Sequence, residues 1–141
     1  MWTHELSART ELPPEAIWKV LTDLDNWPAW DTSMESVRLD GPFAVGSRVT
    51  MVPAGQEPVT SVITVIEENE RYADETEFGG VTLRFSHALA RLPDGGTEVV
   101  HRLEIDGVEA DSVGPEVGAM ITEDFPEAMA ALLAYAARRG E

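Results

Sequence analysis

The stretch TLRFSHALARL (Thr82–Leu92), PDGG (Pro93–Gly96) and TEVVHRLEID (Thr97–Asp106) decides the fold. Leu83, Phe85, His87 and Leu89 alternate with Arg84 and Ser86, and Val99, His101, Leu103 and Ile105 alternate with Glu98, Arg102 and Glu104. A two-residue period marks strands with one buried face, and Pro-Asp-Gly-Gly is turn chemistry, so the stretch predicts an antiparallel hairpin. Pairing Leu92 with Gly96 sets Phe85 opposite Leu103, Leu89 opposite Val99 and Arg84 opposite Glu104. That register gives the outer face an opposite-charge pair and keeps the inner face apolar, whereas a slip of two residues loses both pairings. It also stands His87 directly across from His101.

Working outward, strands are expected at about 33–40, 47–53, 58–67 and 71–79, separated by Gly41-Pro42, Ala54-Gly55, Glu68-Asn69 and Gly79-Gly80. Connections this short predict an antiparallel meander. At the other end, residues 2–11 alternate, with Trp2, His4, Leu6 and Ala8 on one side. Pro13-Pro14-Glu15 then opens a helix whose apolar stripe is Ile17, Val20, Leu21 and Leu24. Pro28 ends it, so Asn26–Asp31 forms a second short helix or a turn. From about Pro115 to Arg139 the pattern is helical, with Val117, Ile121, Phe125, Met129, Leu132 and Ala136 on one face. Pro126 lies inside that run, removes a donor and is expected to kink it. The class is α+β, and a kinked helix across a curved sheet is expected to leave a cavity between them.

A chain of 141 residues with 43% hydrophobic residues matches one domain, residues 1–141, with a substantial core. No apolar run is long enough for a spanning helix, and the N-terminus lacks the order of a secretory signal, so the expected location is cytoplasmic. There is no cysteine, which excludes disulfides, thiolate nucleophiles and Cys-bound metals. The net charge is −16, from 26 acidic and 10 basic residues, and such a surface repels phosphate backbones and anionic headgroups. Nucleic-acid binding and membrane insertion are therefore excluded, no cofactor is indicated, and no protein partner can be named.

Several motifs occur in a fixed order: Pro14-Glu15-Ala16-Ile17-Trp18 with Leu21 and Asp23, then Trp27-Pro28-Ala29-Trp30, then Pro93-Asp94-Gly95-Gly96-Thr97, then a closing helix with Phe125-Pro126. Together they resemble the START-like (SRPBCC) superfamily in its polyketide cyclase/dehydrase branch, across essentially the whole chain. The resemblance implies a helix-grip fold, in which a seven-stranded curved antiparallel sheet wraps around a long C-terminal helix, with two short helices after the first strand. It implies an internal cavity that in different members carries lipids, hormones or polyketides, and one fold hosts many activities.

All three histidines fall on apolar strand faces. In the helix-grip order the first and last strands are neighbours, so His4 comes from the strand next to that of His101. Three imidazoles on adjacent strands could hold zinc with an open position. The alternatives are a polar patch within the cavity, ordinary core histidines, or a proton-transfer pair of His87 and His101. Trp27 and Trp30 either wall a ligand site or pin the helix turn to the sheet. Tyr72, Thr76 and Phe78 form the expected inner face of their strand, with Phe85 beyond, and Ile121, Phe125 and Met129 line the helix side. Among the many carboxylates no buried pair suited to acid–base work is identifiable, and no nucleophile elbow or phosphate loop is present.

Three functions remain, the last of them a regulatory or stress role. The first is binding a small, largely apolar molecule, lipid-like or polyketide/aromatic, between sheet and helix. The second is an aromatase/cyclase that uses the cavity histidines. Cyclases of this kind resemble one another in a cavity arginine and tyrosine. Here the strand from Pro58 to Val65 carries no arginine, and Met34 stands where the tyrosine is sought.

Overall fold

The computed structural model describes residues 1–139, apart from the side chain of Phe78. Strands β1 (Trp2–Thr10), β2 (Met34–Asp40), β3 (Arg48–Pro53), β4 (Val59–Glu67), β5 (Arg71–Phe78), β6 (Val81–Arg91) and β7 (Thr97–Asp106) form one sheet. Its order is β1-β7-β6-β5-β4-β3-β2, and every neighbouring pair is antiparallel. Helix α1 (Pro14–Leu21) and a 3-10 helix (Leu24–Ala29) follow β1, and helices α2 (Ala110–Thr122) and α3 (Phe125–Arg139) close the chain. This is the expected helix-grip architecture.

The register of β6 and β7 is the one the side chains require: Phe85 pairs with Leu103, Leu89 with Val99, Arg84 with Glu104 and His87 with His101. The turn is closed by the Leu92 amide donating to the Gly96 carbonyl, 2.8 Å. On the outer face the Arg84 guanidinium reaches Glu75 at 2.7 Å and Glu104 at 3.3 Å.

The closing helix starts earlier than expected and bends where expected. It begins at Ala110 rather than Pro115, so Pro115 lies inside the helix, where it cannot donate to the Asp111 carbonyl. It bends where Pro126 was expected to kink it, with Glu123 still in the helical region. Pro126 cannot donate to the carbonyl four residues back, Thr122, and α2 ends at that residue. Thr122 turns its hydroxyl onto the Gly118 carbonyl, 2.8 Å, and the chain resumes as α3 at Phe125.

Helix α2 lies on β1 and β7, and two glycines bring it there. A Cβ on Gly114 would stand 2.7 Å from Trp2 Cβ, and one on Gly118 would collide with the Trp2 ring. The spacing of four residues puts both glycines on one helix face, so the indole fills a groove that any larger residue would block. Gly118→Ala is therefore expected to destabilise the fold by about 1–3 kcal/mol in urea melts, through overpacking. In the double variant Trp2→Ala/Gly118→Ala the loss should fall well short of the sum of the two singles, because removing the indole vacates the space that the added methyl group needs. Strict additivity would show that the glycines are not seated on Trp2.

Candidate functional site

Strand alternation and register fix which side chains share the face beneath the helices. Crossing the sheet, one row runs Leu6, His101, His87, Tyr72 and Ile66, and the next runs His4, Leu103, Phe85, Asp74 and Ile63. Apolar residues gather at both ends of this face. One buried cluster includes Ile17, Leu21, Trp27, Trp30, Ile63, Tyr72, Leu89, Val99, Met129 and Leu132. The other holds Val81, Leu83, Leu103, Ile105 and Ala110, with Trp2, Phe85, Ile121 and Phe125 packed against it. Between them, His101 separates Val99 from Leu103 along β7, and His87 separates Leu89 from Phe85 along β6.

The polar groups of this band are buried and poorly satisfied. Among the described residues six buried side-chain atoms have no hydrogen-bond partner: Trp30 Nε1, Ser61 Oγ, Asp74 Oδ1, Thr76 Oγ1, His87 Nδ1 and His101 Nε2. Native interiors leave few polar groups unsatisfied, and each one costs about 1–3 kcal/mol. Five of the six, on β4 to β7, share one face of the sheet.

His87 and His101 meet ring edge to ring face, with centroids 4.4 Å apart and planes at 88°. Burial holds His101 down to about 4; burial, and then the neighbouring His101, holds His87 well below the usual histidine value. Both imidazoles are neutral at pH 7, so each offers one donor and one acceptor. Aromatic contacts extend the pair in both directions. Trp27 lies 6.0 Å from His87 and 6.2 Å from Tyr72, and Trp30 lies 5.9 Å from Trp27. On the other side Phe125 lies 6.3 Å from His101 and 5.8 Å from His4.

The expected residues thus divide. Trp27, Trp30, Tyr72, His87, His101 and Phe125 form one connected aromatic band. Thr76 is buried on the same face, Met129 belongs to the larger apolar cluster, and Phe85 and Ile121 border the smaller one. The side chain of Phe78 lies outside the described residues. Trp27 also anchors the helical turn, since its indole N–H donates to the Leu21 carbonyl at 2.9 Å. His4 does not complete a trio: it pairs with Leu103, stacks on Trp2 at 6.1 Å and packs on Phe125. Among the described residues no three His, Cys, Asp or Glu side chains are placed to hold a metal ion.

Asp74 is the group that sequence reasoning missed. It is 2% exposed, between Phe85 and Ile63 on the flanking strands and between Tyr72 and Thr76 on its own. Tyr72 Oη donates to Asp74 Oδ2 at 3.0 Å. Burial pushes the Asp74 carboxyl up to about 7; the Tyr72 bond and the nearby Ser61 hydroxyl pull the other way without cancelling it. Burial, and then the charge of Asp74, also pushes the Tyr72 phenol up. The signal was present in the sequence, because a strand that turns Tyr72 and Thr76 inward must turn Asp74 inward too.

Two clefts flank this face, and neither is lined by His87, His101, Tyr72 or Asp74. One, of about 160 Å³, is bounded by Trp30, Asp31, Thr32, Ser33, Asp124, Glu127, Ala128 and Ala131. The other, of about 370 Å³, lies at the β5–β6 turn around Gly79 and Gly80.

This architecture defines the class as a START-like helix-grip protein. The whole chain, residues 1–141, matches the family described as "Polyketide cyclase / dehydrase and lipid transport", and the protein belongs to that family. No curated protein matches it at a significant level. Among solved structures it is similar to the Zhui aromatase/cyclase of a Streptomyces strain, with 17% identity, TM-score 0.79, and 99% of this chain and 95% of that one covered. It is similar to a START superfamily protein from Mycobacterium smegmatis, with 13% identity, TM-score 0.76, and 96% and 97% covered. It is also similar to norcoclaurine synthase from Thalictrum flavum, with 13% identity, TM-score 0.73, and 94% and 84% covered. At these identities the likeness is one of fold. No helix among the described residues is long and apolar enough to cross a membrane.

The two kinds of buried titratable group give opposite pH dependences. Asp74, raised above its unfolded value near 4, makes the folded state bind the extra proton, so its contribution is lost as pH rises from about 4 to about 7. The histidines, held below their unfolded value near 6.5, contribute stability that is lost as pH falls from about 6.5 towards about 4. Urea denaturation of Asp74→Asn should therefore show a stability difference, variant minus wild type, that climbs between about pH 4 and 7 and then levels off. A difference independent of pH would mean that Asp74 titrates normally.

Proposed function

We propose that this protein binds a small, largely apolar molecule, of aromatic or polyketide-like size, between the inner face of the sheet and helices α2 and α3. The observation that carries the reading is the band of unsatisfied polar atoms set between two apolar clusters. That is the pattern of a ligand site, with apolar walls for burial and a few polar groups for orientation. Ser61, Asp74, Thr76, His87 and His101 would supply the polar contacts, with Trp27, Tyr72, Phe85 and Phe125 among the walls. Ligand pockets usually measure about 300–1,000 Å³, so the 160 Å³ cleft at Trp30 is an entrance rather than the whole site. Admission then requires α3 to move away from the Trp30–Ser33 segment, and the bend between Thr122 and Phe125 supplies a joint for that movement.

Titration with the neutral fluorophore N-phenyl-1-naphthylamine tests the reading. Fluorescence should rise and saturate at one probe per chain, with a dissociation constant in the micromolar range or below. A linear rise without saturation would mean that the interior admits no such guest.

A second reading, cyclase-type catalysis, is favoured by one feature: two neutral imidazoles face each other within the site, each able to take up or release a proton. The family description includes cyclases and dehydrases as well as lipid transport. Incubation with a synthetic poly-β-keto thioester should give a set of cyclised products that shifts when His87 and His101 are both replaced by phenylalanine. An unchanged product set would remove this reading and leave binding.

A further inference from the structure

Resting on the binding reading above, we propose that Ser61, Asp74 and Thr76 form a subsite that receives a hydroxyl group, so that the guest is an alcohol or a phenol rather than a bare hydrocarbon or an acyl chain. Ser61 is fully buried, Asp74 is 2% exposed and Thr76 is 5% exposed; each carries a polar atom without a well-formed hydrogen bond among the described residues, although the Ser61 hydroxyl is near enough to Asp74 to favour its ionised form. The β4–β5 register pairs Val62 with Glu75 and Ile63 with Asp74, and one further step along it sets Ser61 level with Thr76. Level neighbours across a strand pair have Cβ atoms about 4.5–5.5 Å apart and diagonal neighbours about 7–8 Å, so one oxygen can reach all three side chains.

The donor and acceptor count selects the group. Asp74 Oδ2 is already bonded to Tyr72, which leaves Oδ1 as an acceptor. The Ser61 and Thr76 hydroxyls each have a proton to give. A ligand hydroxyl donates once, to Asp74 Oδ1, and accepts twice, from Ser61 and Thr76. A carbonyl would set its lone pairs against the ionised carboxylate and, with Asp74 protonated, could accept from only two of the three donors. An ammonium would leave both hydroxyl protons without an acceptor and would bring a charge into an apolar surround formed by Phe85 and Ile63. If Asp74 is protonated, its O–H replaces one of the two hydroxyl donors and the ligand proton passes to that hydroxyl's oxygen instead, so a hydroxyl suits both states.

The test compares 2-naphthol with 2-methylnaphthalene, two probes of nearly the same shape, by displacement of N-phenyl-1-naphthylamine. Hydrophobicity alone favours the methyl compound. The subsite predicts that 2-naphthol binds about 10-fold more tightly to the wild type, the worth of a satisfied buried polar cluster. The preference should disappear or reverse in Ser61→Ala and in the isosteric Thr76→Val, whose folding is checked by circular dichroism. Should either variant fail to fold, the wild-type comparison and the other variant still decide. Equal or weaker binding of 2-naphthol to the wild type would overturn the hydroxyl subsite while leaving the binding function standing, and would indicate that the three side chains share water. A preference that survives in both variants would place recognition elsewhere on the face and overturn the assignment. If neither compound displaces the fluorophore, or the fluorophore itself does not saturate, the binding reading fails and takes this inference with it.

Discussion

The inner face depends on the register of β6 against β7. Because side chains alternate, a slip of one residue would turn His87, Phe85 and Leu89 to solvent and bring Arg84 and Ser86 inside. A slip of two would keep the faces but part His87 from His101 and Arg84 from Glu104. The short Pro93–Gly96 turn and the cross-strand charge pair hold the register from one end and one side. The rest of the sheet is then referred to it, β1 through β7 and the meander through β5. The histidine pair follows from that alignment, the inward carboxyl of Asp74 from the alternation of β5 beside it, and the seat of Trp2 from the β1–β7 register and the path of α2.

The sheet carries an unusual load for a core surface. Two apolar clusters with a polar band between them bury less apolar area than a continuous core would, and neutral histidines and a carboxyl in that band need partners that the described residues do not supply. Keeping the imidazoles uncharged avoids the much larger cost of buried ions. Asp74 and Tyr72 share one hydrogen bond and leave one carboxyl oxygen over. Such partial satisfaction is a poor way to build a static interior and a serviceable way to orient a guest.

The helical layer is held differently from the sheet. At one end α2 is seated through two glycines on a single indole, and at the other α3 joins the larger cluster through Met129, Leu132 and Ala136. The bend between them falls where Pro126 cannot bond to Thr122, so each half of the helix is anchored to its own apolar cluster.

Much of this was written in the sequence, because strand alternation, turn residues and the proline position are local signals. The element order, the β6–β7 register, the facing histidines and the outer Arg84–Glu104 pair were all legible from spacing. The alternation also placed Asp74 inward, but its acidity argued for solvent, and only the flanking Phe85 and Ile63 show how thoroughly it is desolvated. The location of His4 beside Trp2 and Phe125, rather than with the other two histidines, required the strand order and the path of the helix together. The glycine seat of α2 was invisible, since glycine in a helix reads locally as a weakness and becomes a contact only when a particular indole lies beneath it. The sequence by itself determined which residues could face one another, because backbone geometry has a fixed period. The tertiary structure decided which of them share a buried environment, because burial and its effect on charge depend on residues far apart in the chain.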